Sequence, residues 1–265
     1  MGKTILKHQL TFPLIILYVI IVTWWFRINY TTISNPSEVH LFGAVYSLIA
    51  LFGAIEGFRV ARKWGAWSSA LGRSIIFFSL GLFGLWFGQF VWSYYNIIVK
   101  VEVPYPSLAD IGFFSIIPFY ALGGAHLGQA TGARFVRKST TGVITSLVVP
   151  LVILSVVYFV FLKEYSFDAS APLRSFLDFA YPFGEGITIS IATIVFLLSY
   201  RILGGKMRTR ILYILFALVF HFITEYTFLY RAAAGTYYNG GPVDLMYATS
   251  FFIMSIGLIS FNNYE

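Results

Sequence analysis

Apolar residues fill long stretches of the chain, and polar residues collect in short clusters between them. A helix needs about 20 apolar residues to cross a bilayer. Eight stretches meet that length: 9–27, 40–60, 74–98, 108–130, 142–162, 175–200, 210–231 and 243–261. The connections are short and none reads as a domain linker, so the pattern predicts an all-α integral membrane domain over 1–265, of about eight transmembrane helices, with no soluble domain. The first stretch follows Lys3 and Lys7, as in a signal peptide. It ends, however, in bulky Trp24 and Trp25 without a small-residue cleavage site, which predicts a retained span.

Composition agrees with a bilayer as solvent. Of 265 residues, 58% are apolar, 20% aromatic and only 11% charged, where a soluble domain carries about a quarter charged residues. There is no cysteine, which excludes disulfides, thiolate metal sites and thiolate catalysis. The net charge of +7 comes from clusters between apolar stretches, as membrane topology requires, and does not indicate nucleic acid.

Charge placement then predicts orientation. Thirteen of the 18 basic residues (Lys3, Lys7, Arg59, Arg62, Lys63, Arg73, Arg134, Arg137, Lys138, Arg201, Lys206, Arg208 and Arg210) lie before the first span or in even-numbered connections. Arg27, Lys100, Lys163, Arg174 and Arg231 fall on the other side, together with Glu38, Glu102, Asp110, Glu164, Asp168, Asp178 and Asp244. By the positive-inside rule, both termini are cytoplasmic and the protein sits in the cell membrane.

The chain also repeats itself. Gln89-Phe-Val-Trp-Ser-Tyr94 in the third span is followed by Asp110 at the start of the fourth, and Glu225-Tyr-Thr-Phe-Leu-Tyr230 in the seventh by Asp244 at the start of the eighth. Asp178 opens the sixth span similarly, and Glu38 the second more weakly. The pattern predicts outward-pointing helical hairpins arranged as a parallel repeat. Asp110, Asp178 and Asp244 have a plain role as helix caps, supported by Pro106, Ser107 and Pro242 nearby. Pro118 and Pro182 are expected to kink the fourth and sixth spans.

Ionisable groups deeper in the membrane cost roughly 2.5–3.5 kcal/mol each on insertion scales and ordinarily face the bundle interior with a partner. At ~1.5 Å per residue, Gln89 and Glu225 lie about 23 Å from the inner face and Glu185 about 15 Å from the outer one. Glu56 sits near the cytoplasmic end of its span, where Arg59 or Arg62 neutralises it. Trp86, Gln89, Ser93 and Asn96 form one stripe at helical spacing; Asp178, Tyr181, Glu185 and Thr188 form a second; His221 and Glu225 stand as an i, i+4 pair. Two readings stay open for these three faces. They either line a polar pocket open to the outside, or form a hydrogen-bonded network that fixes helix positions. Gly53, Gly57, Gly84 and Gly88 are read as packing positions. His8, His40, His126 and His221 lie at different depths, so no metal site is predicted; no catalytic constellation is visible, and no cofactor is specified.

Trp86-Phe-Gly-Gln-Phe-Val-Trp-Ser-Tyr-Tyr95, Pro104-Tyr-Pro-Ser-Leu-Ala-Asp110, Ile117-Pro118, Ala180-Tyr-Pro-Phe-Gly-Glu185 and Gly235-Thr-Tyr-Tyr-Asn-Gly-Gly-Pro-Val-Asp244 together resemble the multi-pass membrane module found N-terminal to bacterial GGDEF diguanylate cyclases and histidine kinases. The similarity covers roughly 64–258, and its most specific string begins at Pro104. The resemblance implies a prokaryotic sensory or localising input. It puts Glu185, Glu225 and Gln89 at positions where the family carries Asp, so this chain has one acid fewer there. The chain ends at Glu265, where an output domain would begin, which leads to the expectation of a stand-alone sensor-like module that binds a small molecule or lipid and signals to a separate cytoplasmic partner. The alternative is a small transporter or channel with a path lined by Gln89, Glu185 and Glu225.

Overall fold

The structure is a computed structural model that describes residues 11–30, 35–200 and 204–262, with the side chains of all but 134, 135 and 206. Lys3, Lys7, His8, Arg201 and Glu265, which enter the sequence reading, lie outside the described residues, as do the side chains of Arg134 and Lys206. The described residues are helical with no strand, and eight of the helices are long and apolar enough to cross a membrane. They are α1 (Thr11–Tyr30), α2 (Pro36–Lys63), α3 (Ala70–Val99), α4 (Ala109–Ala130), α5 (Thr140–Leu162), α6 (Pro172–Ser199), α7 (Gly205–Ala233) and α8 (Pro242–Ser260).

Local chemistry sets the helix ends. Asn35, Ser69 and Ser139 each accept a hydrogen bond from a first-turn N–H, two or three residues on, and thereby start α2, α3 and α5. Pro36, Pro172 and Pro242 stand in the first turns of α2, α6 and α8, where the missing N–H costs nothing. α2 runs as two segments joined at Ser47, and the last turns of α3 and α5 widen into π-helix. Helical structure continues through Pro118 and Pro182.

Six helices pack as a ring in the order α2, α3, α4, α6, α7, α8, with α8 closing on α2; α1 lies outside against α8 and α2, and α5 outside against α6. α5 is the most lipid-like of the eight: only 6% of its apolar stretch is buried, and Leu147, Leu151 and Phe159 are exposed. So continuous an apolar surface is compatible with a lipid bilayer and not with water.

Hydrogen bonds tie together the two ends of the bundle. At one end, Trp25 Nε1 donates to the Gly241 carbonyl (3.0 Å), Asn29 Nδ2 donates to the Gly240 carbonyl (2.9 Å), and Trp24 and Arg27 both bond Glu38. Asp110, Asp178 and Asp244 lie at this same end, hereafter the acidic end. At the opposite, basic end, Trp64 Nε1 donates to the Phe261 carbonyl (2.9 Å), Lys63 bonds Asn262, and Arg59 pairs with buried Glu56.

The closest helix pair is α3 with α4. A Cβ on Gly112 would stand 2.4 Å from the Gly88 nitrogen and 2.6 Å from the Gly84 carbonyl oxygen, so these backbones touch and only glycine fits. Gly53 and Gly57 likewise admit Ser255 of α8 and Ser79 of α3.

Candidate functional site

The acidic end is built from loops whose polar groups are largely satisfied from within. Ser107-Leu-Ala-Asp110 forms a capping box: the Ala109 N–H donates to Ser107 Oγ (3.2 Å), and the Ser107 N–H donates to Asp110 Oδ2 (2.7 Å). Tyr181 of α6 donates its hydroxyl to Asp110 Oδ1 (2.9 Å). Pro104 is exposed, and Pro106 follows a cis peptide bond.

Asp178 does not cap a helix as its place near the expected start of the sixth span suggested. Pro172 begins α6 earlier, so Asp178 stands in the second turn. Its carboxylate accepts the Tyr105 hydroxyl (2.8 Å), with Arg174 at 3.8 Å. Burial, then the hydrogen bond to Asp178, raise the Tyr105 phenol above its ordinary range. The turn before α6 is held by Asp168, which accepts the Ser170 hydroxyl (2.7 Å) and N–H (2.8 Å); these bonds hold its carboxyl below the usual carboxylate range.

Asp244 is the buried counterpart of Asp110. It accepts the Gly240 N–H (2.6 Å) and the Tyr237 hydroxyl (3.0 Å), and burial followed by the Asp244 charge raises the Tyr237 phenol. Tyr237 also reaches Asn239 (3.1 Å) and, with Tyr238, Trp92, Asn96, Glu102 and Val103, lines a cleft of 270 Å³ open at the acidic end.

Below this cleft, α7 and α8 carry a polar column. Phe228 packs edge-on to Tyr237 (5.0 Å between centroids) and against Tyr247 (6.1 Å). Tyr247 donates to Glu225 Oε2 (3.0 Å). Glu225 Oε1 lies 3.6 Å from His221 Nε2, and His221 Nδ1 lies 3.1 Å from Ser250 Oγ. Tyr120 of α4 meets the His221 ring edge-on (5.3 Å). Glu185 of α6 faces the same centre; it is 4% exposed and interacts electrostatically with Glu225. Among the described residues, no side chain donates a hydrogen bond to Glu185, although Tyr226 nearby donates to the Pro182 carbonyl (2.6 Å).

The predicted stripes therefore separate. His221 and Glu225 pair at the bundle centre, with Glu185 within electrostatic reach of Glu225. Above them Tyr181 donates to Asp110, while Asp178 stands apart with Tyr105. Asn96 lines the cleft, while Gln89 stands over Gly43 of α2, whose absent Cβ would lie 3.0 Å from Gln89 Nε2. Four tyrosines and a serine escaped the sequence reading: Tyr120, Tyr237, Tyr247, Tyr105 and Ser250. A signal existed for two, since Asp244, Tyr247 and Ser250 recur at i+3 spacing on one face of α8. Among the described residues, no group of three or more His, Asp or Glu side chains is placed to hold a metal. No family model, curated protein or solved structure matches the chain.

Proposed function

We propose that this chain is a membrane sensor-like module that recognises a small ligand at the acidic-end cleft and transmits its occupancy through α7 and α8 to a cytoplasmic partner. The observation that carries this reading is an open cleft stacked on a buried polar column, with the Phe228 ring between Tyr237 and Tyr247. An open cleft has as its wall a tyrosine bound to buried Asp244, and the Tyr247–Glu225–His221–Ser250 group lies directly beneath. A network that only held helices together would need no opening. The rings of Trp92, Tyr237 and Tyr238 beside the Glu102 carboxylate suit a ligand bearing a cationic amine. The acidic end faces outward in this proposal and both termini are cytoplasmic, in keeping with the charge bias. The halves α1–α4 and α5–α8 form a parallel repeat of outward-pointing hairpins. Two parallels support it: Asp110 and Asp244 each take one preceding backbone N–H and one tyrosine hydroxyl, and α1 and α5 both pack outside the ring.

The test titrates choline against tryptophan emission of the full chain in lipid nanodiscs. The wild type is expected to respond, W92F to lose the Trp92 component, and E225Q to bind at least tenfold more weakly with an unchanged melting temperature. If E185Q and E225Q both simply fail to fold, the polar centre is structural and the sensor reading falls. A second reading, a small transporter or channel, is favoured by the midspan pair Glu185 and Glu225. Glu185-dependent flux of a solute or ion into proteoliposomes would decide for it.

A further inference from the structure

Glu185 and Glu225 have an unbalanced environment. Glu185 is faced by Glu225 and Tyr226 from α7 and by Tyr120 from α4. Glu225 is faced by His221 on its own helix, Tyr247 from α8, Tyr46 from α2, Tyr120 from α4 and Tyr181 from α6. Among the described residues, no lysine or arginine pairs with either acid. His221 Nε2 is buried, has no hydrogen-bond partner and points at Glu225 from 3.6 Å.

Two like charges so placed, one buried and the other mostly so, repel one another and are poorly hydrated; a single proton removes one charge and turns one acid into a hydrogen-bond donor. We infer that Glu185 and Glu225 hold one proton between them, forming a proton-binding site at the centre of the bundle. The proton resides on Glu185. Glu225 has the Tyr247 hydroxyl to stabilise a charge, with His221 beside it, whereas no side chain among the described residues donates to Glu185. The pair titrates as a unit, exchanging one proton with water. This site goes beyond the ligand cleft and stands on the two acids alone.

Infrared spectroscopy of the full chain in nanodiscs reads the proton directly. At pH 7 the wild type should show the carbonyl stretch of a protonated carboxylic acid, shifted by H/D exchange. The band should move when glutamate is ¹³C-labelled and stay when aspartate is, which separates it from buried Asp244 without any mutation. It should vanish in E185Q and persist in E56Q, whose parent side chain is paired with Arg59. No such band in the wild type, a band that follows the aspartate label, or one unchanged in E185Q would overturn the inference. Loss of the band on adding NaCl at constant pH would assign the site to an alkali ion instead. A silent choline titration beside an intact band would reject the sensor reading and leave the proton site standing.

Discussion

The hairpins α3–α4 and α7–α8 share a layout, each running into an acidic-end loop that closes on an aspartate, but they are held together by opposite means. In α3–α4 the backbones touch: Gly84, Gly88 and Gly112 leave no space for a side chain, and Tyr120 and Phe78 lie over Gly81 and Gly123. In α7–α8 the contact runs through side chains, with Tyr247 on Glu225, His221 by Ser250 and Tyr237 on Asp244. The glycine seam is mainly close backbone packing, with one buried hydrogen bond from Ser74 to the Gly123 carbonyl (2.8 Å), and it leaves little room for change. A seam of hydroxyls, carboxylates and an imidazole can exchange partners, and it lies under a cleft that the ends of both hairpins wall. By its packing, the first hairpin is the scaffold of the pair.

Breaking the scaffold should have the largest effect. Gly112→Ala drives a Cβ into backbone atoms that cannot step aside and should cost about 3 kcal/mol, read as a lowered melting temperature in nanodiscs. The matching change in the other hairpin, Gly257→Ala, crowds the end of the Ile214 side chain (2.8 Å) and meets its backbone nitrogen only at ordinary contact (3.7 Å), and should cost less than about 1 kcal/mol. Equal losses would erase the distinction between the two seams.

Removing one hydroxyl from the polar seam should matter less for stability. Tyr247→Phe keeps the ring and takes the donor from Glu225, for about 0.6–1 kcal/mol. Its larger consequence should be a weakened response to choline, whereas Ser79→Ala, deep in the packed region, should leave that response unchanged.

The smallest effect belongs to the loop before α6, outside both hairpins. The folded Asp168 carboxyl sits below its ordinary range because Ser170 donates to it. A depressed folded value means that its contribution is present above the unfolded value and is lost as pH falls through the folded one. Ser170→Ala should move the Asp168 titration, followed by carboxyl NMR, up toward the ordinary aspartate range, with no change in melting at neutral pH. An unmoved titration would contradict the assigned hydrogen bonds.

Much of the fold was legible because lipid imposes a simple rule: stretches of about 20 apolar residues must be helices. The Glu56–Arg59 pair was legible for the same reason, since a buried acid near a helix end needs a close partner. Asp178 was misread because hydropathy locates the apolar part of a helix and not its first turn, and Pro172 starts α6 before the apolar residues begin. Gln89 aligns with Glu225 in the repeated string, but a repeat does not specify which neighbour a face meets; Gly43 gives Gln89 a place against α2. Tyr120 and Tyr247 were missed because aromatic residues in membrane helices read as belt or core, and Tyr105 and Tyr237 because they stand in loops. The hydroxyls of Tyr105, Tyr237 and Tyr247 acquire meaning only when Asp178, Asp244 and Glu225 are placed opposite, which depends on tertiary packing.

The central claim, that an opening at the acidic end leads to the α7–α8 polar seam, is tested most directly by cysteine accessibility, for which this cysteine-free chain is a clean background. Single variants N239C, E225C and S74C would be treated in sealed vesicles with a membrane-impermeant, cationic methanethiosulfonate applied to one side at a time. From the acidic end, N239C should react fast, E225C more slowly, and S74C, buried in the α3–α4 seam, not at all; from the basic end, none of the three should react. An E225C as silent as S74C from the acidic end, or reactive only from the basic one, would contradict the account.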